Sequence, residues 1–519
     1  MKAMDLFDGI TAIPGDMIEE AETHRFRKRR PWVRYAAVAA AFAAAIGIGG
    51  ILTGRIQTPM MGGKAGGGGN GGGENGYSYM HYVGPVLPLT VIGDAEGVTA
   101  GRHVDYDFLP YRTRTERIEH DGKSDTYDAW DTDAIVTDSY TLVNAAGEDK
   151  TLSLLYPAAL TVNETVDYLP TITVDGEQRE TTLHAGPYSG GFMDASGGKD
   201  PKERVNLDQI SSWEDYAALL ADGSYQAAAF APAPDLNVPV TVYRVDDYAV
   251  APTDAVNPSL QISFRVDYDK TIVMTYGSNG GSNDAENGVC TRIVGGLANE
   301  YRPPEPMYVV LCGDDIDGYT LQGYANMGGD AGTEIDVTAT VTRYETTLDV
   351  FLRQIIDRAL DERYQWQYGA DLTGSGIPRE LLHRLAAELL VQYGVLSDDP
   401  HERYFGMLEE VFEAYIMRRV LYLSFDVTVP AGESVEITAT MRRDGSMDYI
   451  GKKKNVEGYD LATRLGSLLT FTEQHASLSH AEEIVMGENN FGFDPERGVT
   501  EVTLDLAAEH YWMQVAKRR

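Results

Sequence analysis

Cysteine is scarce here: Cys290 and Cys312 are the only two in 519 residues. Two cysteines cannot build a disulfide scaffold, and neither stands in a C-x-x-C, so zinc-ribbon and thioredoxin-like readings have no support. Basic residues are also short, 43 against 79 acidic ones, for a net charge of −36. A field of that sign repels phosphate backbones, which argues against nucleic acid as a partner. Catalytic signatures are missing too. The chain holds no H-E-x-x-H, no G-x-S-x-G, no P-loop and no complete EF-hand loop, and no cofactor is called for.

The partial matches are weak. Ser196-Gly197-Gly198-Lys199 is an S-x-x-K string, but two central glycines disfavour the helical turn that would bring the lysine under the serine. Asp314, Asp315 and Asp317 sit in a calcium-like string that begins on Gly313 and has Tyr324 where a bidentate glutamate belongs, so it reads as an acidic turn. Asp125, Asp128, Asp131 and Asp133 could gather round a hard cation, or pair for glycoside hydrolysis, and read more simply as a solvated loop. His475 and His480 are five apart, a surface spacing. Gly186–Gly191 is flexible but lacks the helix a phosphate cradle needs, and the 31 tyrosines are expected mostly to pack half-buried. Cys290 and Cys312 would close a loop of about 23 residues, worth roughly 3 kcal/mol in the chain-entropy model. If their compartment is oxidising, a structural disulfide is favoured over two free thiols.

What is present organises the chain. Tyr35–Gly54 is an uncharged apolar run long enough to span a membrane as a helix. Arg27, Lys28, Arg29, Arg30 and Arg34 crowd its front, with Trp32 and Tyr35 as interfacial anchors. The positive-inside bias puts the N-terminus in the cytosol and the bulk of the chain outside. A cleaved secretory signal competes, since Ala43–Ala45 offers small residues to a peptidase; the long acidic leader favours an uncleaved anchor. Glycine then fills ten of the fifteen positions 62–76. Residues 55–76 act as a flexible tether with an end-to-end distance of about 26 Å. The tail 1–30 divides at Pro14-Gly15, where Asp16 and Glu19 form a capping box for a short helix that would order on docking a partner.

The order DLFDGITAIPGDMIEEAE, KRRPWVRYAAVAAAF, then a large outer region resembles single-pass membrane proteins of Gram-positive bacteria organised like anti-sigma factors. Segments such as YMHYVGPVLPLT, IVTDSYTLVN and LSLLYPAALTV resemble the uncharacterised outer domains of such proteins. The resemblance implies a sigma factor as the cytosolic protein partner of residues 1–30; for the outer region it implies a topology and names no activity.

Beyond Tyr77 the hydrophobic period is two, with turn residues between short runs, which predicts an antiparallel β-sandwich or two. Val136, Tyr140 and Leu142 share a face that Asp138 interrupts, and Asp175-Gly176 predicts a tight hairpin. Behind Ser211-Ser212, residues 213–221 predict one short helix. Between 345 and 419 the period is helical. One helix carries Leu348, Phe351, Leu352, Ile355, Ile356 and Ala359, a second follows Pro378, and a third is expected from Asp399 to about Arg419. The expected organisation is a tail (1–30), transmembrane helix (31–54), linker (55–76), extracytoplasmic β-sandwich region (77–344), three-helix insertion (345–419) and C-terminal β region (420–519). The chain thus reads as a membrane-anchored, non-enzymatic protein that binds an unknown ligand at the cell envelope. A surface adhesin or scaffold, and an extracytoplasmic hydrolase with a site built from distant carboxylates, are the alternatives.

Overall fold

The computed structural model describes residues 81–110, 112–120, 123–131, 133–188, 210–297, 305–326, 332–361, 377–392, 394–397, 407–447 and 456–518, with backbone only across 112–131. The tail, the apolar run with its flanks Arg27 to Tyr35, and the glycine tether lie outside them. No helix among the described residues is long and apolar enough to cross a membrane. The paired strands Arg112–His120 and Lys123–Asp131 reach into a separate unit at 117–126. Everything below concerns the other unit, drawn from 57–116 and 127–519.

The protein is mainly β, 49% strand and 16% helix, in several sheets. The principal strands are β1 (Val98–Phe108), β2 (Asp133–Asn144), β3 (Lys150–Leu160), β4 (Pro239–Val250), β5 (Ser259–Arg265), β6 (Ile272–Tyr276), β7 (Val289–Val294), β8 (Met307–Cys312), β9 (Tyr319–Tyr324), β10 (Val337–Thr347), β11 (Arg419–Val429), β12 (Ser434–Asp444), β13 (Val456–Ala462), β14 (Thr470–His480) and β15 (His510–Lys517). The main helices are α1 (Trp213–Leu220), α2 (Leu348–Asp361) and α3 (Arg379–Gln392).

The first layered body is built from both ends of the chain. A seven-stranded sheet carries β14, β1, β2 and β12 at its centre and faces a four-stranded sheet centred on β11 and β3. Strict alternation in β1 and β2 turns Val104, Tyr106, Val136 and Leu142 into one core with Leu154, Phe425 and Ile437. Two chain corners join the layers. β2 passes to β3, and β11 to β12, while β2 pairs with β12 and β3 with β11. Asn144, fully buried, fastens both corners: its side-chain amide donates to the carbonyls of Glu148 at 2.8 Å and Val429 at 3.0 Å. Strands of 420–519 therefore complete sheets begun before the helices. At the hairpin after Thr171–Val174, Asp175 and Gly176 both take positive φ, 49° and 80°, as a type I′ turn requires.

The sheets are not purely antiparallel, which corrects the sequence-based expectation. β14 runs parallel to β1, and Pro85–Val86 parallel to β13. Parallel neighbours need a long crossover, and here nearly the whole chain separates the partners. Local turn signals could not reveal such a pairing.

A second body spans β4 to β10. The sheet β6-β8-β4-β10 packs one face on a sheet containing β7, β5 and β9, burying Val245, Val309 and Leu311 against Ile262 and Phe264. Its other face buries Val242, Met274 and Val310 under α2 and α3. Both faces being covered explains the unbroken apolar run in β8. In α2 the residues Leu348, Phe351, Leu352, Ile355 and Ile356 are all buried, as their spacing predicts. The expected third helix is corrected: its described part is a 3-10 turn, Leu408–Phe412, and one short α turn, Glu413–Ile416. Met407 is extended and bridges to Thr275, and Arg419 already belongs to β11, which bounds the described part to these turns; residues 398–406 lie outside the described residues.

Candidate functional site

The most elaborate polar group in the interior explains the aspartate that broke the apolar face of β2. Asp138 and Arg102 on the neighbouring β1 are both fully buried and form a two-pronged ion pair, Nε to Oδ1 at 2.8 Å and Nη2 to Oδ2 at 2.9 Å. Tyr140 and Tyr156 donate their hydroxyls to the same Oδ2 at 2.7 and 3.0 Å, and Arg102 also donates to the carbonyl of Ala462 at 2.6 Å. Burial opposes the charge on Arg102, but Asp138 and the tyrosines more than offset it and hold the guanidinium protonated. Burial likewise pushes both tyrosines well above their ordinary range. The group thus links β1, β2, β3 and β13, with every arm closed on the protein itself.

A second cluster lines a small pocket between the start of the described chain and the ends of β3 and β12. His81, Glu164, Tyr168, Arg442, Arg443 and Asp444 surround it. Arg418 donates to Glu164 at 2.7 Å and to the carbonyl of Val83 at 3.0 Å, while Arg443 donates to the carbonyl of Gly84 at 2.6 Å. Asp133 accepts from Arg442, so this member of the aspartate run is a buried ion-pair partner rather than part of a solvated loop. Burial, then Arg418, pushes His81 down to about 4, against the pull of Glu164. The cavity measures about 10 Å³, room for one water. Its arginines serve to bind sequence-distant backbone together.

A third feature belongs to the helical layer. Glu409 is buried, accepts from the backbone N–H of Gly277, and among the described residues has no partner on Oε2. Burial raises both Glu409 and Glu413 to about 7, and Glu410 adds to the effect on each. On the outer face of the β1–β14 pair, Ser477 donates to Asp105 at 2.6 Å and meets His103 Nε2 at 2.7 Å. With the serine proton directed at Asp105, His103 must be the donor to Ser477, the reverse of a nucleophile activated by a base.

The residues singled out in the sequence are not brought together. Cys290 and Cys312 are not joined by a disulfide, so the bridge expected between them is not formed. Cys290 lies in the core between the two sheets of the second body. Cys312 ends β8 on the opposite face, beside the helices, because the odd residues Met307, Val309 and Leu311 take the inner face. A sheet stands between the two sulfurs. Asp315 accepts from Tyr243 and Arg343, both at 2.9 Å, tying the acidic turn to β4 and β10. His475 lies partly exposed beside His103, ring centroids 6.3 Å apart, and His480 bonds to the neighbouring Ala481 carbonyl. Ser196, Lys199 and most of the glycine loop after Tyr188 lie outside the described residues, as do the side chains of Asp125, Asp128 and Asp131. Among the described residues, no three His, Cys, Asp or Glu are placed to hold a metal ion. Many tyrosines are deeper than expected: Tyr106, Tyr140, Tyr156, Tyr216, Tyr276 and Tyr422 are buried to within 2%. Sequence reasoning missed Arg102, Arg418, Arg442 and Arg443. For Arg102, Arg442 and Arg443 the signal was present as arginines standing inside strands; Arg418, just before β11, carried none.

No protein-family model and no curated protein sequence matches the chain.

Proposed function

We propose that this is a membrane-anchored extracytoplasmic binding or sensing protein, whose cytosolic tail docks a protein partner. The observation that carries the reading is the order of the sequence: a capped tail, basic flank, 20-residue apolar run, glycine tether and acidic outer region. A tail of 30 residues is too short for chemistry and acts by docking. The anti-sigma-like organisation makes a sigma factor the first partner to test. Residues 1–30 as bait in a cytosolic lysate should recover a specific protein that a scrambled tail does not. Equal recovery by both would remove the signalling half of the proposal.

A further inference from the structure

The sheet β6-β8-β4-β10 ends on β10, which among the described residues pairs only with β4. Every other edge strand in the five sheets of this unit has six residues or fewer, while β10 has 11. Long edges are normally blunted by proline, lysine or bulges, because their outward peptide groups recruit another strand. The β4–β10 ladder has one register shift, between Asp246 and Ala249 of β4 opposite Thr338–Thr340, and is regular from Thr340 to Thr347. β10, VTATVTRYETT, contains no proline, glycine or lysine. Beyond its ladder to β4, no backbone hydrogen bond is made by residues 337–346 among the described residues.

The side chains along this edge are arranged for a neighbour. Thr338, Thr340 and Thr342 are exposed, whereas Ala339 and Val341 are only half-buried against the core between the two sheets. Leu321 and Ile335 are half-buried beside them, so the core is open on this side. The charge around the opening is acidic. Asp247, Asp317, Glu334 and Asp336 are exposed. The two nearby cations are already matched, Arg343 with Asp315 and Glu345, and Arg244 with Asp246. A second copy of so acidic a chain would meet repulsion here, and a basic strand attraction.

We propose that β10 is the docking edge for an extended, lysine- or arginine-bearing segment of a partner protein, which joins the sheet as a fifth strand. Main-chain hydrogen bonds supply affinity in this mode, and alternate apolar residues of the incoming segment cover Ala339 and Val341. The inference deepens the binding role proposed above by naming a ligand class, and does not depend on membrane anchoring.

The probe is a fluorescein-labelled ten-residue peptide of alternating Lys and Val, added to the purified full chain at physiological salt. Binding should raise its anisotropy and slow amide exchange across 337–347. Replacing Thr338, Thr340 and Thr342 by lysine should weaken binding at least tenfold. The same three charges at exposed Thr428, Ser434 and Thr500 should leave it within twofold. A Glu-Val peptide should bind at least tenfold more weakly than Lys-Val. Equal binding by the edge variant, protection elsewhere in the chain, or equal binding of Glu-Val would overturn the proposal. Self-association through 337–347 without peptide binding would overturn it as well, making a second copy the occupant. A failed peptide leaves the tail-docking result untouched, so the two readings fail separately.

Discussion

Replacing Asp138 by asparagine should be among the most damaging near-isosteric changes in the first body. The carboxylate is fully buried, receives two bonds from Arg102, and accepts two tyrosine hydroxyls on one oxygen. Asparagine keeps the shape and one acceptor oxygen, but leaves a buried guanidinium without its counter-charge. Removing one partner of a buried pair costs about 3–5 kcal/mol. The remaining bond from Arg102 to Ala462 does not replace a charge. Urea unfolding followed by tryptophan fluorescence should show a midpoint lowered by about 1 M or more. The double change Arg102→Met with Asp138→Leu should be less damaging than either single change, because it removes both charges together. An Asp138→Asn protein within about 1 kcal/mol of wild type would refute the reasoning. So would a double variant less stable than both singles.

The other predictions concern separate features. Asn144→Ala, which unfastens both corners of the first body, should cost about 2–3 kcal/mol by urea unfolding, since it orphans buried carbonyls. Glu409 is raised to about 7 from 4.5, so the folded state holds its proton longer than the unfolded one. Its contribution is therefore full below pH 4.5 and lost as the pH rises toward 7. Glu409→Gln should flatten that fall, by on the order of 3 kcal/mol between pH 4.5 and 8. His81 works in the other direction: with its pKa down at about 4, the unfolded state binds the proton first. Its contribution is full above pH 6.5 and lost as pH falls toward 4, a loss that His81→Gln should remove. Thiol titration of the protein unfolded without reductant should find two reactive thiols per chain, and a Cys290–Cys312 disulfide peptide in a non-reducing digest would refute their placement on opposite faces.

The sequence was most legible where structure is local. The spacing of Leu348 to Ile356 predicts α2, Ser212 marks the start of α1 and indeed accepts from Asp215 N, and Asp175-Gly176 names its own turn. It was least legible where distant segments meet. Nothing near Val98–Phe108 announces Thr470–His480 as its parallel neighbour. The same holds for the two cysteines, whose separation follows from which face of β8 each core claims. The described part of the third helix departs from the expectation because Met407 is held by Thr275, a tertiary contact that a capping pattern at Asp399 cannot show. Asp138 is the instructive case. As a break in an alternating strand it looked like a flaw in the pattern, and it is where Arg102 enters the core.

In the proposed arrangement Tyr35–Gly54 anchors an outer β-rich body and the tail lies inside the cell. Protease treatment of intact cells expressing the full chain with an N-terminal epitope tag decides whether it holds. The prediction is loss of the full-length band and survival of a short, membrane-protected fragment that still carries the tag. A full-length chain degraded only after the membrane is permeabilised, or an untagged body released into the medium, would contradict it.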